Sequence, residues 1–309
     1  MHLRLIVPAE RTAAVASTLE QDPRVTNVVV MAGAGVRPKG DLVLCDVARE
    51  AVTEVLDWLR QVGLYADGGV VLSAIEAAPS ANAHATEAAA PGSPDDAVVW
   101  DEVLDQAATQ VAGSWSYYAF LTIAVMLASI AVVTDSAVLV VGAMVVGPEF
   151  GVVAALALGI ALRRAQLSRR ALALLVRGFV FAIGIALMCA LAARAVGWVH
   201  PSSVSAARPL TGFIWRPDRW SAVVAIIAGC AGVLSQTAGR SNALVGVFIS
   251  VTTVPAAGDL ALSMAVWNSG QILGSLAQLV LNLTGMTIAG VTTLLLQRRL
   301  WRRMATVGG

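Results

Sequence analysis

From residue 117 to residue 296 the chain is almost continuously apolar, broken by short polar connections and arginine clusters. A bilayer core takes about 20 apolar residues per helix. Six stretches meet that length or come close to it: 117–134, 137–162, 171–196, 219–238, 242–267 and 270–296. With 57% hydrophobic and only 13% charged residues, and a mean hydropathy of +0.75, a 309-residue chain is too apolar for an ordinary water-soluble domain. A polytopic membrane protein is expected.

The connections set an orientation. "RRAQLSRR" (163–170), Arg240 and "QRRLWRR" (297–303) all fall on one side of a six-span layout, and basic connections mark the cytoplasmic side. Asp135-Ser136, the loop 197–218 and Asn268-Ser269 then lie opposite, although Arg208, Arg216 and Arg219 in or beside that loop run against the trend. The N-terminal apolar run is cut short by Pro8 and Glu10, too early for a signal peptide, so both termini are expected inside. The 21 basic and 20 acidic residues nearly cancel, which leaves no electrostatic footprint for a nucleic-acid partner. Cys45, Cys189 and Cys230 are isolated, and His2, His84 and His200 lie outside the spans. No metal site or cofactor is expected.

Residues 1–76 read differently. "LRLIV", a helical stretch 9–20, "VTNVVVM", "DLVLCDV", a helix 49–62 and "VVLSAI" give the order βαββαβ, with Gly33 and Gly35 between the middle strands and Gly63 capping the second helix. The fold class is therefore α+β, a cytosolic ferredoxin-like domain ahead of an all-α membrane domain. Residues 77–97 are rich in Ala, Pro and Ser and read as a flexible linker, with His84 solvated. In 98–113, Val99, Val103, Ala107 and Val111 share one face of an amphipathic juxtamembrane helix that Asp95-Asp96 would cap. Residues 297–309 form a basic cytosolic tail.

Two apolar stretches are interrupted in matching ways. "AMVVGPEFGVVAALAL" and "SVTTVPAAGDLALSMA" each carry a proline (Pro148, Pro255) followed three residues later by a glycine (Gly151, Gly258). Each lies in the middle helix of a three-span half, and the two halves run in opposite directions. This predicts a 3+3 inverted repeat with broken second and fifth helices and a binding site at the breaks, formed by Gly147, Pro148, Glu149, Gly151, Thr252, Thr253, Pro255, Gly258 and Asp259. Proline frees a carbonyl one turn earlier, and lipid cannot satisfy it. The plainer reading is a pair of proline kinks. Splitting the second stretch into two short helices at "GPEFG" would place 163–170 outside. An ionised carboxylate in mid-membrane costs from about 2.5 to well over 10 kcal/mol, so Glu149 and Asp259 need a reason. They suit a cation or proton, or they are neutralised by Arg177 or Arg194, or protonated.

On the last stretch Asn268, Gln271, Ser275, Gln278 and Asn282 step by 3 and 4, continued by Gly285, Ala289 and Thr292. That seam either packs helices through amides and small residues or lines a pore. Ser235, Gln236, Thr237, Ser241, Asn242 and Ser250 add oxygen ligands nearby.

The text "TDSAVLVVGAMVVGPEFGVVAALALGIAL", with the βαββαβ head and "SNALVGVFISVTTVPAAGDLALSMAVWNSGQ", resembles the bacterial hydrophobic membrane proteins grouped as domain of unknown function 389. Asp135, Ser136, Gly142, Met144, Gly147, Pro148 and Gly151 carry the match. Many members have "SPLMGP"-like text at the break where this chain has Val145 to Glu149, so no role for Glu149 carries over. The resemblance implies a bacterial inner-membrane location and no particular activity.

The leading expectation is a transporter or channel for a small ion or solute, embedded in the lipid bilayer, forming a homo-oligomer and regulated by its N-terminal domain. The alternative is a membrane-anchored sensor or scaffold whose N-terminal domain binds an effector. An intramembrane aspartyl hydrolase using Asp135 and Asp259 is disfavoured, because one acid is placed at a membrane edge and the other mid-span. No enzyme is expected.

Overall fold

The computed structural model describes residues 1–75, 77–90, 92, 97–205, 207–238 and 252–307. They form two compact units, residues 1–103 with 300–309, and residues 104–299.

In the first unit, β1 (His2–Val7), β2 (Val25–Val36), β3 (Lys39–Val47) and β4 (Gly69–Ser73) form an antiparallel sheet in the order β2-β3-β1-β4. Two helices connect them, α1 (Ala9–Gln21) between β1 and β2 and α2 (Val52–Gln61) after β3. Each βαβ unit is thus split by a strand of the other, as the sequence order required. Alternation explains the core: Leu3, Leu5 and Val7 of central β1 are fully buried, and Leu5 pairs with Val43 on one side and Val70 on the other. Val15 and Leu19 of α1, with Val55, Leu56 and Leu59 of α2, complete that core.

Three local readings change. Gly33 and Gly35 lie inside β2, where Gly33 (φ +64°) sits in a bulge and its N–H donates to Asp41 Oδ1 at 2.7 Å; the turn itself is Arg37-Pro38. Gly63 does cap α2 at φ +80°, but a further short turn, α3 (Leu64–Asp67), follows it. The segment read as a linker contains α4 (Ala81–Ala89), started by Ser80, whose hydroxyl accepts from the Ala83 N–H. An alanine-rich stretch with a serine cap has the propensity to be helical, and composition alone concealed it. His84 is exposed. The helix predicted over 98–113 is α5 (Trp100–Gln110), and its expected face of Val99, Val103, Ala107 and Val111 is buried; the Asp95-Asp96 cap lies outside the described residues.

The second unit is helical. It comprises α6 (Trp115–Val133), α7 (Ala137–Val146), α8 (Glu149–Ala161), α9 (Ala165–Ala195), α10 (Pro201–Ser205), α11 (Arg219–Thr237), α12 (Thr253–Val266) and α13 (Ser269–Val307) among the described residues. The helix runs on through the sequence read as a basic tail. Four helices are long and apolar enough to cross a membrane, and α7 with α8, bent by 53° at their break, makes a fifth if counted as one span. Among the described residues a sixth span is not confirmed. At 14 residues α12 extends about 21 Å, short of a core about 30 Å thick, and residues 239–251, which would precede it, lie outside the described residues.

Tight connections follow from one device. Asp135, Arg163, Gly197 and Trp267 all have positive φ, and the next residue's N–H reaches back to a carbonyl five residues earlier, as Ser136 does to Ala131 at 2.9 Å. Within the unit α12 is the inner element, with Val254, Ala256, Ala257, Asp259, Ala261 and Ser263 buried. It approaches α6 closely because Gly258 has no side chain: a Cβ there would lie 2.7 Å from Ala128 Cβ and 2.8 Å from the Ser129 nitrogen. The outward faces of α9, α11 and α13 expose Val180, Met188, Ile227, Leu273 and Ile288, an apolar surface compatible with a lipid surround.

Two outcomes are expected. Gly258→Val should lower the thermal midpoint in detergent, at a cost of about 1–3 kcal/mol, because neither backbone can retreat without unpacking α6 from α12. Burial pushes the Cys45 thiol up to about 12, and at pH 8 its thiolate fraction would then be only about one in ten thousand. Iodoacetamide should leave Cys45 unmodified in the folded protein and alkylate it on unfolding, as read by peptide mass mapping.

Candidate functional site

Asp259 lies seven residues before the end of α12, about 10 Å along the helix from Val266. It is fully buried, and its Oδ1 accepts a hydrogen bond from the Arg208 guanidinium at 2.7 Å; the arginine side chain is 4% exposed. Its Oδ2 accepts from Ser275 Oγ at 2.6 Å and from Ser263 Oγ at 3.4 Å. One carboxylate therefore joins α12, α13 and the segment between α9 and α11.

That segment folds inward around the pair. Val204, Thr211 and Ile214 are fully buried, and the Val204 carbonyl accepts from Gln271 Nε2 at 3.1 Å. Thr211 Oγ1 donates to Asp135 Oδ1 at 2.8 Å, and the Gly212 N–H returns to the Arg208 carbonyl, so Arg208 and Thr211 share one turn. Gly274 of α13 packs directly against the Trp215 carbonyl. The α6–α7 turn, the loop 197–218 and the α12–α13 turn, expected on one side of the membrane, thus meet at one end of the helices.

Of the residues predicted at the breaks, Gly147 and Pro148 do separate α7 from α8, with Pro148 as the N-cap of α8. At the second break, Thr252 caps α12, and Thr253 and Pro255 occupy its first turn, where the missing proline N–H breaks no intrahelical bond; whether a helix precedes lies outside the described residues. The two places touch, since a Cβ on Gly147 would come 2.8 Å from Val254 Cγ2. Glu149 is buried, bends back over Gly147, and leaves Oε2 without a hydrogen-bond partner among the described residues. Gly151 lies against the Gln110 side chain, and Gly258 carries the α6 crossing, where its carbonyl accepts from Ser129 Oγ at 3.1 Å.

The polar seam of α13 faces inward. Gln271, Ser275, Gln278 and Asn282 are buried, and Asn268 is half-buried in the turn. Gln278 Nε2 and Asn282 Nδ2 both donate to Thr252 Oγ1 at 2.9 Å, while Gln278 Oε1 and Thr253 Oγ1 have no partner among the described residues. Farther along, Gly285 and Ala289 meet Ala225 and Gly229 of α11 in small-residue packing. Thr237 bonds Gln297, whereas Arg240, Ser241, Asn242 and Ser250 lie outside the described residues.

The neutralising partners expected for the two acids were misplaced. Arg177 lines a cleft on α9, and Arg194 donates to the Ala265 carbonyl; the cation beside Asp259 is Arg208. The sequence marks Arg208 only as a charge that runs against the orientation trend. The available signal was a lone arginine between apolar Val204 and Ile214, in a loop facing a helix whose acid lacked a partner. Asp135 and Asp259 each bind the loop, not each other. Among the described residues no cluster of His, Cys, Asp and Glu could hold a metal.

A family model described as a domain of unknown function (DUF389) matches residues 144–288, from the end of α7 into α13. An uncharacterized protein of Methanocaldococcus jannaschii is 24% identical over 176 residues, 57% of this chain and 51% of that protein. The chain therefore spans about half the length of this curated relative. No solved structure matches.

Removing one member of the buried pair leaves the other charged and alone. Asp259→Leu should cost about 3–5 kcal/mol, and adding Arg208→Met should recover most of it, a coupling measurable by a double-mutant cycle on unfolding in detergent.

Proposed function

We propose that the protein is a membrane transport protein, a secondary transporter or channel, that passes a small cation or proton by way of Asp259. The observation that carries this reading is the buried carboxylate of α12, ringed by Ser263 and Ser275 hydroxyls and neutralised by an arginine on a loop. One partner of the pair is on a helix and the other on a connection, which can move without a helix shifting. Arg208 acts as a tethered cation that holds the site in the absence of substrate. A substrate cation entering from the helix side replaces it, taking Asp259 and the serine oxygens as ligands, and a proton does the same by neutralising the carboxylate. Displaced, the guanidinium leaves with its loop, which opens the end of the helices where Val204, Thr211 and Ile214 are packed.

The contact between Gly147 and Val254 supports the inverted-repeat arrangement, since the two proline-bearing helix starts, α8 and α12, face each other. Glu149, buried there with Oε2 unpartnered among the described residues, is a second station on the path. On this reading the protein is not an enzyme, sits in the inner membrane with both termini in the cytoplasm, and assembles as a homo-oligomer regulated by its N-terminal domain. One observation favours the alternative of a membrane-anchored sensor: the first unit has a cleft of about 510 Å³ lined by Asp46, Arg49, His84 and Glu87, suited to a small polar effector.

Proteoliposomes of the full chain should show flux of protons, sodium or potassium under an imposed gradient, read with pH- and ion-sensitive dyes. Asp259→Asn should reduce that flux at least tenfold and Glu149→Gln to a smaller degree, in samples that remain folded. Absence of flux for all three ions, or full flux in Asp259→Asn, would sink the proposal.

A further inference from the structure

Beside the loop that joins α8 to α9, the helical unit has an open cleft of about 830 Å³ between the start of α6 and the first turns of α9. Gln166, Arg170, Ala173 and Arg177 step by 4, 3 and 4 and so share one helix face, and Arg169 stands beside them. Tyr118 and Gly113 form the facing wall. A second recess of about 460 Å³ shares Arg170 and Gln166 and adds Arg163 and Arg164 against apolar Leu104 and Ala108. None of these five arginines has a carboxylate within ion-pair distance among the described residues.

Helix length fixes the level of this cleft relative to lipid. At 31 residues α9 is about 46 Å long, so about 16 Å, or 11 residues, exceeds a hydrocarbon core about 30 Å thick. The surplus belongs at the arginine-bearing start, because residues 178–193 are free of charge and predominantly apolar, leaving Arg194 at the far end, and the outward residues Val180, Phe181 and Met188 are exposed. Arg169 and Arg170 then stand at headgroup level, with Arg177 at the edge of the hydrocarbon. Tyr118 stacks edge-on against Phe181 at 5.7 Å, an aromatic pair of the kind that marks the interface. An unpaired arginine at that depth needs an anion, and the start of α9 adds the partial positive charge of its free N–H groups.

We infer that the cleft between α6 and α9 binds the phosphate headgroup of an anionic phospholipid, held by Arg169, Arg170 and Arg177, with the acyl chains lying on the exposed apolar face of α9. Guanidinium groups pair with phosphate oxygens through two N–H donors at once, and a lipid supplies the phosphate already positioned at this depth. The cleft shares no residue with the surroundings of Asp259 and does not depend on the transport reading.

The test is lipid titration of the full chain in detergent, with thermal unfolding as the readout. Phosphatidylglycerol should raise the midpoint by several degrees at mole fractions where phosphatidylcholine does not. Arg170→Gln with Arg177→Gln should weaken the effect at least tenfold in lipid concentration, whereas Arg298→Gln with Arg299→Gln, the same change of charge on α13, should leave it intact. Arg170→Lys with Arg177→Lys keeps the charge and should restore part of the response, which separates a lost site from a lost fold. Equal stabilisation by phosphatidylcholine, an unchanged response in the α9 variant, or full competition by millimolar inorganic phosphate would overturn the assignment to lipid.

Discussion

A carboxylate enclosed by apolar helices is tolerable only with a positive charge and hydrogen-bond donors around it, and for Asp259 those come from Arg208, Ser263 and Ser275. Much of the helical unit follows from meeting that demand. Arg208 belongs to a connection, so the connection has to fold inward, which buries Val204, Thr211 and Ile214 and sets the Val204 carbonyl within reach of Gln271. Ser275 has to face α12, and the same helical face then turns Gln278 and Asn282 toward Thr252. Gly258, beside the acid, lets α12 lie close enough to α6 for Ser129 to reach a backbone carbonyl.

The second constraint is the backbone at the breaks. Where α7 gives way to α8, the Gly147 N–H still finds the Ala143 carbonyl, so α7 closes properly before Pro148 redirects the chain. Pro255 in the first turn of α12 and Pro148 at the cap of α8 are both in positions that lose no hydrogen bond. The prolines therefore start helices more than they bend them. Glu149 in the first turn of α8 gains from that helix's N-terminal dipole, which offsets part of its burial.

Legibility in the sequence followed the range of the interactions involved. The N-terminal βαββαβ order was readable because alternation and turn residues are local signals, and Leu3, Leu5 and Val7 repeat with the period of a strand. Apolar length gave the positions of α6, α9, α11 and α13, and Gly147-Pro148 gave the break. The α4 helix was obscured because proline and serine at its borders outweighed its alanine-rich middle. Arg208 was not readable as the partner of Asp259, since 51 residues separate them and nothing local marks the pairing. Arg177 and Arg194 lie on a long apolar helix where a charge stands out, but sequence does not reveal helix rotation, and in the structure Arg194 bonds the Ala265 carbonyl while Arg177 lines a cleft.

The placement of that pair also bears on how the site would work. Releasing the loop breaks the Thr211–Asp135 and Gln271–Val204 hydrogen bonds, each worth about 0.5–1.5 kcal/mol net, and exposes some apolar surface. Separating Arg208 from Asp259 with nothing in exchange costs about 3–5 kcal/mol more, because a buried carboxylate is left alone. The second quantity is the larger, so on the proposed reading opening without an incoming cation would be rare. A cation or proton that neutralises Asp259 removes that larger cost and leaves only the smaller one. On the proposed transport reading, coupling between occupancy and opening would arise from the difference between the two energies, and would need no further moving part than the loop that carries Arg208.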